Sequence, residues 1–185
     1  MPDPEYTISL FNKALHDRSA FSCGVGGIDR WVKTSISSET KDDRTRLWCA
    51  SNPEGELVGV YALNPHCVEP AEGGGLAKER ERRPIPTLYL SCLAIDQRFQ
   101  GQGLGEALMG HAIERAVKLS AEIPVAAIIL DVHRDEHFER RHAFYARLGF
   151  TILYQEKPER MYLPIADARK ALELQADASQ KAPVA

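Results

Sequence analysis

The sequence has no surplus of either charge, few cysteines and no long hydrophobic run. Lys and Arg total 23 against 26 Asp and Glu, a formal net charge of −3 over 185 residues. The chain as a whole therefore offers no electrostatic attraction to nucleic acid or to an anionic membrane, and any such partner must be held by a local patch. Four cysteines, Cys23, Cys49, Cys67 and Cys92, lie far apart with no Cys-x-x-Cys pair. That argues against a zinc clip or a dithiol redox site, so no metal is expected and the thiols should be reduced, buried and structural. No stretch approaches the ~18 uninterrupted apolar residues of a membrane span. The N-terminal segment carries early acids and only short apolar stretches, so neither a signal peptide nor a membrane anchor is expected, and the cytoplasm is the expected compartment. Internal repeats and low-complexity tracts are also missing. At 44 % hydrophobic and 26 % charged, the composition is that of a chain able to bury a core. Its length suits one domain, expected over residues 1–176, with a frayed tail over 177–185 where apolar residues thin out.

The remaining signals alternate strand and helix. Gly24-Val25-Gly26-Gly27 is too glycine-rich for a regular element, and Ile28, Trp31, Val32 and Ile36 then recur at helical spacing, predicting a loop followed by a helix over 28–37. Arg46–Ala50 and Leu57–Leu63 read as strands joined through Asn52-Pro53-Glu54-Gly55, a hairpin. Residues 66–86, with Gly73-Gly74-Gly75 and the charged run Lys78–Arg83, read as a long, mobile, partly helical connection. Thr87–Ile95 is nearly continuously apolar, the pattern of a strand buried on both faces. A glycine loop follows, then Leu104, Leu108, Ala112 and Leu119 on one helical face. Val125–Val132 is a second buried-type strand, far enough on to pair parallel with the first through a right-handed crossover. A helix over 135–148 stopped by Gly149, and strands over 150–154 and 160–164, complete a mixed α/β chain with a central mixed sheet flanked by helices.

Gln100-Gly101-Gln102-Gly103-Leu104-Gly105 sits where strand hands over to helix. Unpaired amide N–H groups and the positive end of the helix dipole converge there, which suits a pyrophosphate. Glycine lets a phosphate approach the backbone and makes positive φ inexpensive. A nucleoside-triphosphate loop would close on Gly-Lys-Ser/Thr, whereas Gly105 is followed by Glu106 and Ala107. A dinucleotide fingerprint belongs on the first strand of its domain, and this loop lies past the middle of the chain. Taken alone, the glycines could equally serve only a tight turn and close helix packing.

Leu93-Ala94-Ile95-Asp96, Gln100-x-x-Gly103-x-Gly105 and Ala143-Phe144-Tyr145-x-x-Leu148-Gly149-Phe150 together resemble the GNAT N-acetyltransferase family. The resemblance implies the acyl-CoA N-acyltransferase fold and acetyl-CoA as cosubstrate. It further implies that the backbone of Leu93, Ala94 and Ile95 pairs with the pantetheine arm, and that the amides of Gln100, Gly101, Gln102, Gly103, Leu104 and Gly105 hold the pyrophosphate. His16-Asp17-Arg18-Ser19-Ala20-Phe21-Ser22-Cys23-Gly24 with Ile28-Asp29-Arg30-Trp31 is similar to the acetyltransferase toxins of toxin–antitoxin pairs, which acetylate the amino acid on charged tRNA and so block translation. That likeness implies charged tRNA as substrate, a ribbon–helix–helix antitoxin as partner, and a homodimer. Two features depart from the pattern: Ser91-Cys92 stands where those toxins commonly carry Gly-Arg, and strong overall basicity is lacking.

Acetyl transfer needs a neutral amine, a polarised carbonyl and a proton for the departing thiolate. In the family a helical tyrosine supplies that proton, a role the resemblance gives to Tyr145; the plain reading of a helical tyrosine is a core anchor with its hydroxyl at the edge. His133 and Asp131 lie where a base could act, but a lone His or Asp at a strand end is more often a local hydrogen-bonding group, and neither is assigned as the base. An α-amine, with a pKa near 7.7–8.0 against ~10.4 for lysine, can dispense with a strong base. Candidate RNA patches are Arg80, Arg82 and Arg83; Arg44 and Arg46; and Arg140, Arg141 and Arg147, each interleaved with acids. Two other readings remain: the same enzyme acting on a small-molecule or protein amine, and a coenzyme- or antitoxin-binding protein without turnover.

Overall fold

The structure, a computed structural model, describes residues 6–181. Its strands are β1 (Thr7–Leu10), β2 (Arg46–Ser51), β3 (Leu57–Val68), β4 (Ile85–Ile95), β5 (Ala127–Asp131), β6 (Thr151–Ile152) and β7 (Arg160–Pro164), and they form one mixed sheet in the order β1-β2-β3-β4-β5-β7-β6. The helices are α1 (Gly26–Arg30), a π-helical turn (Trp31–Ser35), α2 (Ile36–Lys41), α3 (Leu104–Leu119), α4 (Phe138–Arg147) and α5 (Ile165–Lys181). By contacts the chain forms two compact units, each discontinuous in sequence. The first takes the chain up to Asn64 together with Leu90–Ala112, and the second takes Pro65–Tyr89 and the chain from Ile113 onward.

In the first unit, β2 and β3 make the expected antiparallel hairpin, with Arg46 opposite Leu63 and Trp48 opposite Tyr61, and β1 adds antiparallel on the far side of β2. Gly55, at φ +82°, makes the reversal. The core gathers Phe21, Val32, Ile36, Leu47, Cys49 and Val60, all at most 1 % exposed, so the helical run 26–41 packs its apolar stripe on the sheet. That run extends past both ends of the predicted helix, and its middle widens into a π turn that apolar periodicity does not foretell. The apolar face of α3, Leu104 and Leu108, meets β3 at Gly59, where a Cβ would fall 2.8 Å from Leu108 Cδ1. Nothing larger than glycine fits that close approach without displacement.

In the second unit, β4 pairs parallel with β5 (Thr87 with Ala127, Tyr89 with Ile129), as the crossover requires, and β7 runs antiparallel to both β5 and β6. Helix α4 ends as expected at Gly149, φ +91°, with Leu148 N and Phe150 N both donating to the Tyr145 carbonyl. The glycine tract differs from its predicted mobility. Residues Pro70–Glu72 and Gly74–Leu76 form short 3₁₀ turns, and a Cβ on Gly74 or Gly75 would overlap the Leu153 carbonyl or the Tyr162 hydroxyl. These glycines serve close packing against the β6–β7 hairpin.

Two elements were not anticipated. β1 is short and half-exposed, and among the described side chains of α5 only Ile165 and Ala168 are buried, along a largely polar surface. Helix α5 also carries the chain to Lys181, across the expected start of a frayed tail, whose last four residues lie outside the described ones. The thiols divide: Cys49 and Cys92 are buried, Cys23 is half-buried, and Cys67 is exposed, contrary to the expectation that all four are interior. β3 alternates its faces, and its Cys67 points outward.

Candidate active site

The glycine loop lies in the first unit, between the end of β4 and α3. Gly101 (φ +76°) and Gly103 (φ +83°) both adopt the left-handed conformation, and a Cβ built on either meets no heavy atom within 4 Å. Close packing therefore does not explain these two glycines. The space beside these two Cα atoms is open, so a diphosphate can approach the backbone there. Glu106 N and Ala107 N turn back to the Gly103 carbonyl at 3.0 and 3.1 Å. Helix geometry leaves the amides of Leu104 and Gly105, in the first turn of α3, without an intrahelical acceptor. The Leu104 side chain is 1 % exposed and belongs to the core, so only its main chain can serve a ligand.

Gln100 behaves differently from a simple ligand-binding residue. Its Nε2 donates to the Ile95 carbonyl at 3.0 Å and to the Cys23 carbonyl at 3.1 Å, pinning the loop to the end of β4 and to the segment before α1. Gln102 Nε2 donates to the Arg98 carbonyl at 3.3 Å. Along β4, Leu93 and Ile95 are half-buried and Ala94 is buried.

A clasp around Ser22 and Cys23 escaped the sequence reading. Ser22 N donates to Asp96 Oδ2 (3.0 Å), Cys23 N to Asp29 Oδ1 (2.7 Å), and the Ser22 carbonyl accepts from Gln97 N (2.9 Å). With Gln100 on the Cys23 carbonyl, both N–H groups and both carbonyls of this dipeptide are bonded. Asp96 is 1 % exposed and also accepts from Arg98 N and Nε. Burial alone would raise its pKa, but the Arg98 and Ser22 hydrogen bonds outweigh it and hold the carboxyl below its ordinary value. The motif residues around it are structural too. Arg18 Nη1 donates to the Val32 carbonyl while its guanidinium covers Phe11, and His16 Nδ1 accepts from Asn12 N.

Tyr145 belongs to the second unit, near the C-terminal end of α4. It is half-buried, its ring edge-on to Phe144 at 5.1 Å and to Phe150 at 5.9 Å, so packing fixes its orientation. Asp131 is unsuited to be a base. Arg160 grips both its oxygens (2.8 and 2.7 Å) and the Tyr89 hydroxyl donates to it at 3.0 Å. The Arg160 hydrogen bonds hold the Asp131 carboxyl below its usual pKa, while burial and then the Asp131 charge push the Tyr89 phenol up to about 12. His133 lies 3.9 Å from Asp135 and is exposed. Of the candidate RNA-binding arginines, Arg46 and Arg141 are paired with Asp43 and Asp135, whereas Arg44, Arg80, Arg82, Arg83 and Arg140 have no ion-pair partner among the described residues. Among the described residues no group of three or more His, Cys, Asp or Glu could hold a metal ion, and no helix is long and apolar enough to cross a membrane.

Residues 43–152, more than half of the chain, match a family model described as an acetyltransferase (GNAT) domain. A probable toxin TacT of Sinorhizobium fredii is 34 % identical, the match covering 85 % of this chain and 90 % of that protein. A tRNA-acetylating toxin of Mycobacterium tuberculosis is 31 % identical, covering 83 % and 89 %. Among solved structures, AtaT complexed with acetyl-methionyl-tRNAfMet is similar with a TM-score of 0.77 at 26 % identity, covering 92 % of this chain and 99 % of that one. AtaTR bound with acetyl-CoA gives 0.75 at 25 %, covering 93 % and 99 %.

Proposed function

Because this chain belongs to the GNAT acetyltransferase family, we propose that it moves an acetyl group from acetyl-CoA onto the α-amine of an aminoacyl-tRNA and acts in the cytoplasm as a translation-blocking toxin. The observation that carries the reading is the open glycine loop at the start of α3, with Gly101 and Gly103 held left-handed and nothing filling the space before them. The residues present suit the cosubstrate. Main-chain amides over Gln100–Gly105 would hold the diphosphate, and the β4 edge at Leu93–Ile95 would run beside the pantetheine arm. Acetyl-CoA supplies an activated acetyl thioester. The amine nitrogen bonds to the carbonyl carbon as the carbon–sulfur bond breaks, Tyr145 gives its hydroxyl proton to the sulfur, and the amine releases a proton to water. With Asp131 tied to Arg160, an acceptor that is partly neutral near pH 7.5 suits the site better than a lysine.

The names of the relatives support tRNA as the acceptor. Arg44, Arg80, Arg82, Arg83 and Arg140, free of ion pairs among the described residues, are the cations that would meet phosphate. The proposal extends to a ribbon–helix–helix antitoxin, to a homodimer, and to a single catalytic domain over 1–176, since β3, β4 and α3 each run through both units. The test is direct. Purified protein is incubated with labelled acetyl-CoA and total charged tRNA, and the aminoacyl adenosine released by nuclease is identified by mass spectrometry. Acetylated aminoacyl adenosine is expected, with turnover reduced at least about 100-fold in Tyr145→Phe. Transfer to polyamines or peptides but not to charged tRNA would overturn the acceptor assignment.

A further inference from the structure

The first unit contains a pocket of about 330 Å³ beside β4, within the usual size range of small-ligand sites. Its walls combine three kinds of group. One wall is aromatic and apolar: Trp31 opens the π-helical turn, Ile28 precedes it by one turn, and the Trp31 indole N–H donates to Glu39 Oε1 at 3.0 Å, which fixes the plane of the ring. π turns within helices concentrate at functional sites, and this one carries Trp31 into the lining. A second group is Arg44, exposed and without an ion-pair partner among the described residues. The third is polar and held in place. Asn64 Nδ2 donates to Ser91 Oγ at 3.0 Å, while Asn64 Oδ1 and the hydroxyl of Thr45, a residue only 4 % exposed, are buried with no partner. Buried oxygens without donors are costly, and two of them lie in residues of these walls.

We propose that this pocket receives the unpaired 3′-terminal nucleotide of the RNA that presents the acceptor amine. The base lies against Trp31 and Ile28, its polar edge or the ribose hydroxyls turn toward Asn64 and Ser91, and the phosphate meets Arg44. A stacking plane, a fixed amide and an unpaired cation together are the means by which single-stranded RNA ends are held. Ser91, on the pocket wall, lies on the same strand as Leu93–Ile95, so an aminoacyl group on that nucleotide has a short path along β4 toward the segment assigned to the acetyl donor. The inference rests on the RNA acceptor of the preceding subsection.

The test is binding without turnover. Protein saturated with CoA, so that the coenzyme's own nucleotide site is filled, is titrated with the single-stranded tetranucleotide ACCA while tryptophan fluorescence is read. The chain has two tryptophans, Trp31 and Trp48, and Trp31→Phe and Trp48→Phe separate them. Quenching is expected to survive in Trp48→Phe and vanish in Trp31→Phe. Arg44→Ala and Asn64→Leu should each weaken binding about tenfold, equivalent to about 1.4 kcal/mol, with CoA affinity unchanged. Arg44 is on the surface, so its variant reports even if the Asn64 change perturbs folding. Quenching that persists in Trp31→Phe, an affinity unmoved by Arg44→Ala, or no quenching at millimolar tetranucleotide overturns the proposal. Acetylation of charged tRNA is scored separately. Transfer intact in wild type with none of these binding effects removes only the pocket, and the binding pattern without transfer removes only the activity.

Discussion

Gly103→Ala isolates the role of the loop. At φ +83° an alanine is strained by about 1–2 kcal/mol, and because its Cβ would meet no heavy atom within 4 Å, clash adds nothing within the protein. For a chain of this length the melting temperature should fall by roughly 2–8 °C. Gly55 provides an internal control. It has φ +82°, again with open space around a Cβ, but sits in the β2–β3 reversal outside the loop. Gly55→Ala should melt at nearly the same temperature as Gly103→Ala. Only Gly103→Ala places a methyl group where a diphosphate must approach the amides. Loss of a charge-assisted hydrogen bond, about 1.5–3 kcal/mol, corresponds to an acetyl-CoA Kd raised roughly 10- to 150-fold. Thermal melts and calorimetric titration measure the two quantities on the same samples. Matched melting losses with matched acetyl-CoA affinities would refute the reasoning, because the open space beside the loop would then have no ligand to hold.

Other outcomes follow from the same geometry. Asp96 has its pKa lowered on folding, so it contributes stability above its unfolded value near 3.9 that is lost as pH falls through the folded value. Melting temperatures of wild type and Asp96→Asn should therefore differ most at neutral pH and converge below about pH 4; a constant gap across that range contradicts the assignment. Gly74→Ala drives a Cβ into the Leu153 carbonyl on top of a φ of +44°, and should destabilise more than Gly103→Ala, by about 3 kcal/mol, in urea melts. In native protein a maleimide should label Cys67 quickly and leave Cys49 and Cys92, whose buried thiols are pushed up to about 12, unmodified until unfolding. Rapid labelling of Cys49 or Cys92 by mass spectrometry would show that the β2–β3–β4 core opens.

Much of this arrangement is legible in the sequence where a single periodicity dominates. β4 is a near-continuous apolar run, α3 shows an apolar face with a glycine loop before it, and β7 falls on the predicted residues 160–164. β1 and α5 leave little mark in the sequence for one physical reason: β1 is half-exposed and the described side chains of α5 are largely exposed, so the apolar signal of a buried face is weak. The glycine tract 73–75 carries the short helical turns expected of it, but the same residue type that permits mobility also permits contact, and only the approach of Leu153 and Tyr162 decides between them. At the site, the loop and Tyr145 stand out as local motifs. The clasp does not, since Ser22 and Asp96, or Cys23 and Gln100, are distant along the chain and meet only through the fold. The same holds for the Trp31 pocket, assembled from helix, loop and two strands.

The central claim is that main-chain amides over residues 100–105 hold a diphosphate and thereby aim a thioester along β4. Calorimetric titration with acetyl-CoA and with S-acetylpantetheine, which carries the same thioester arm without the diphosphate or nucleotide, tests it most directly. Acetyl-CoA should bind at least about 100-fold more tightly, and Gly103→Ala should remove most of that advantage while leaving the weak binding of S-acetylpantetheine unchanged. Equal affinity for the two compounds, or no heat with acetyl-CoA, would contradict the account.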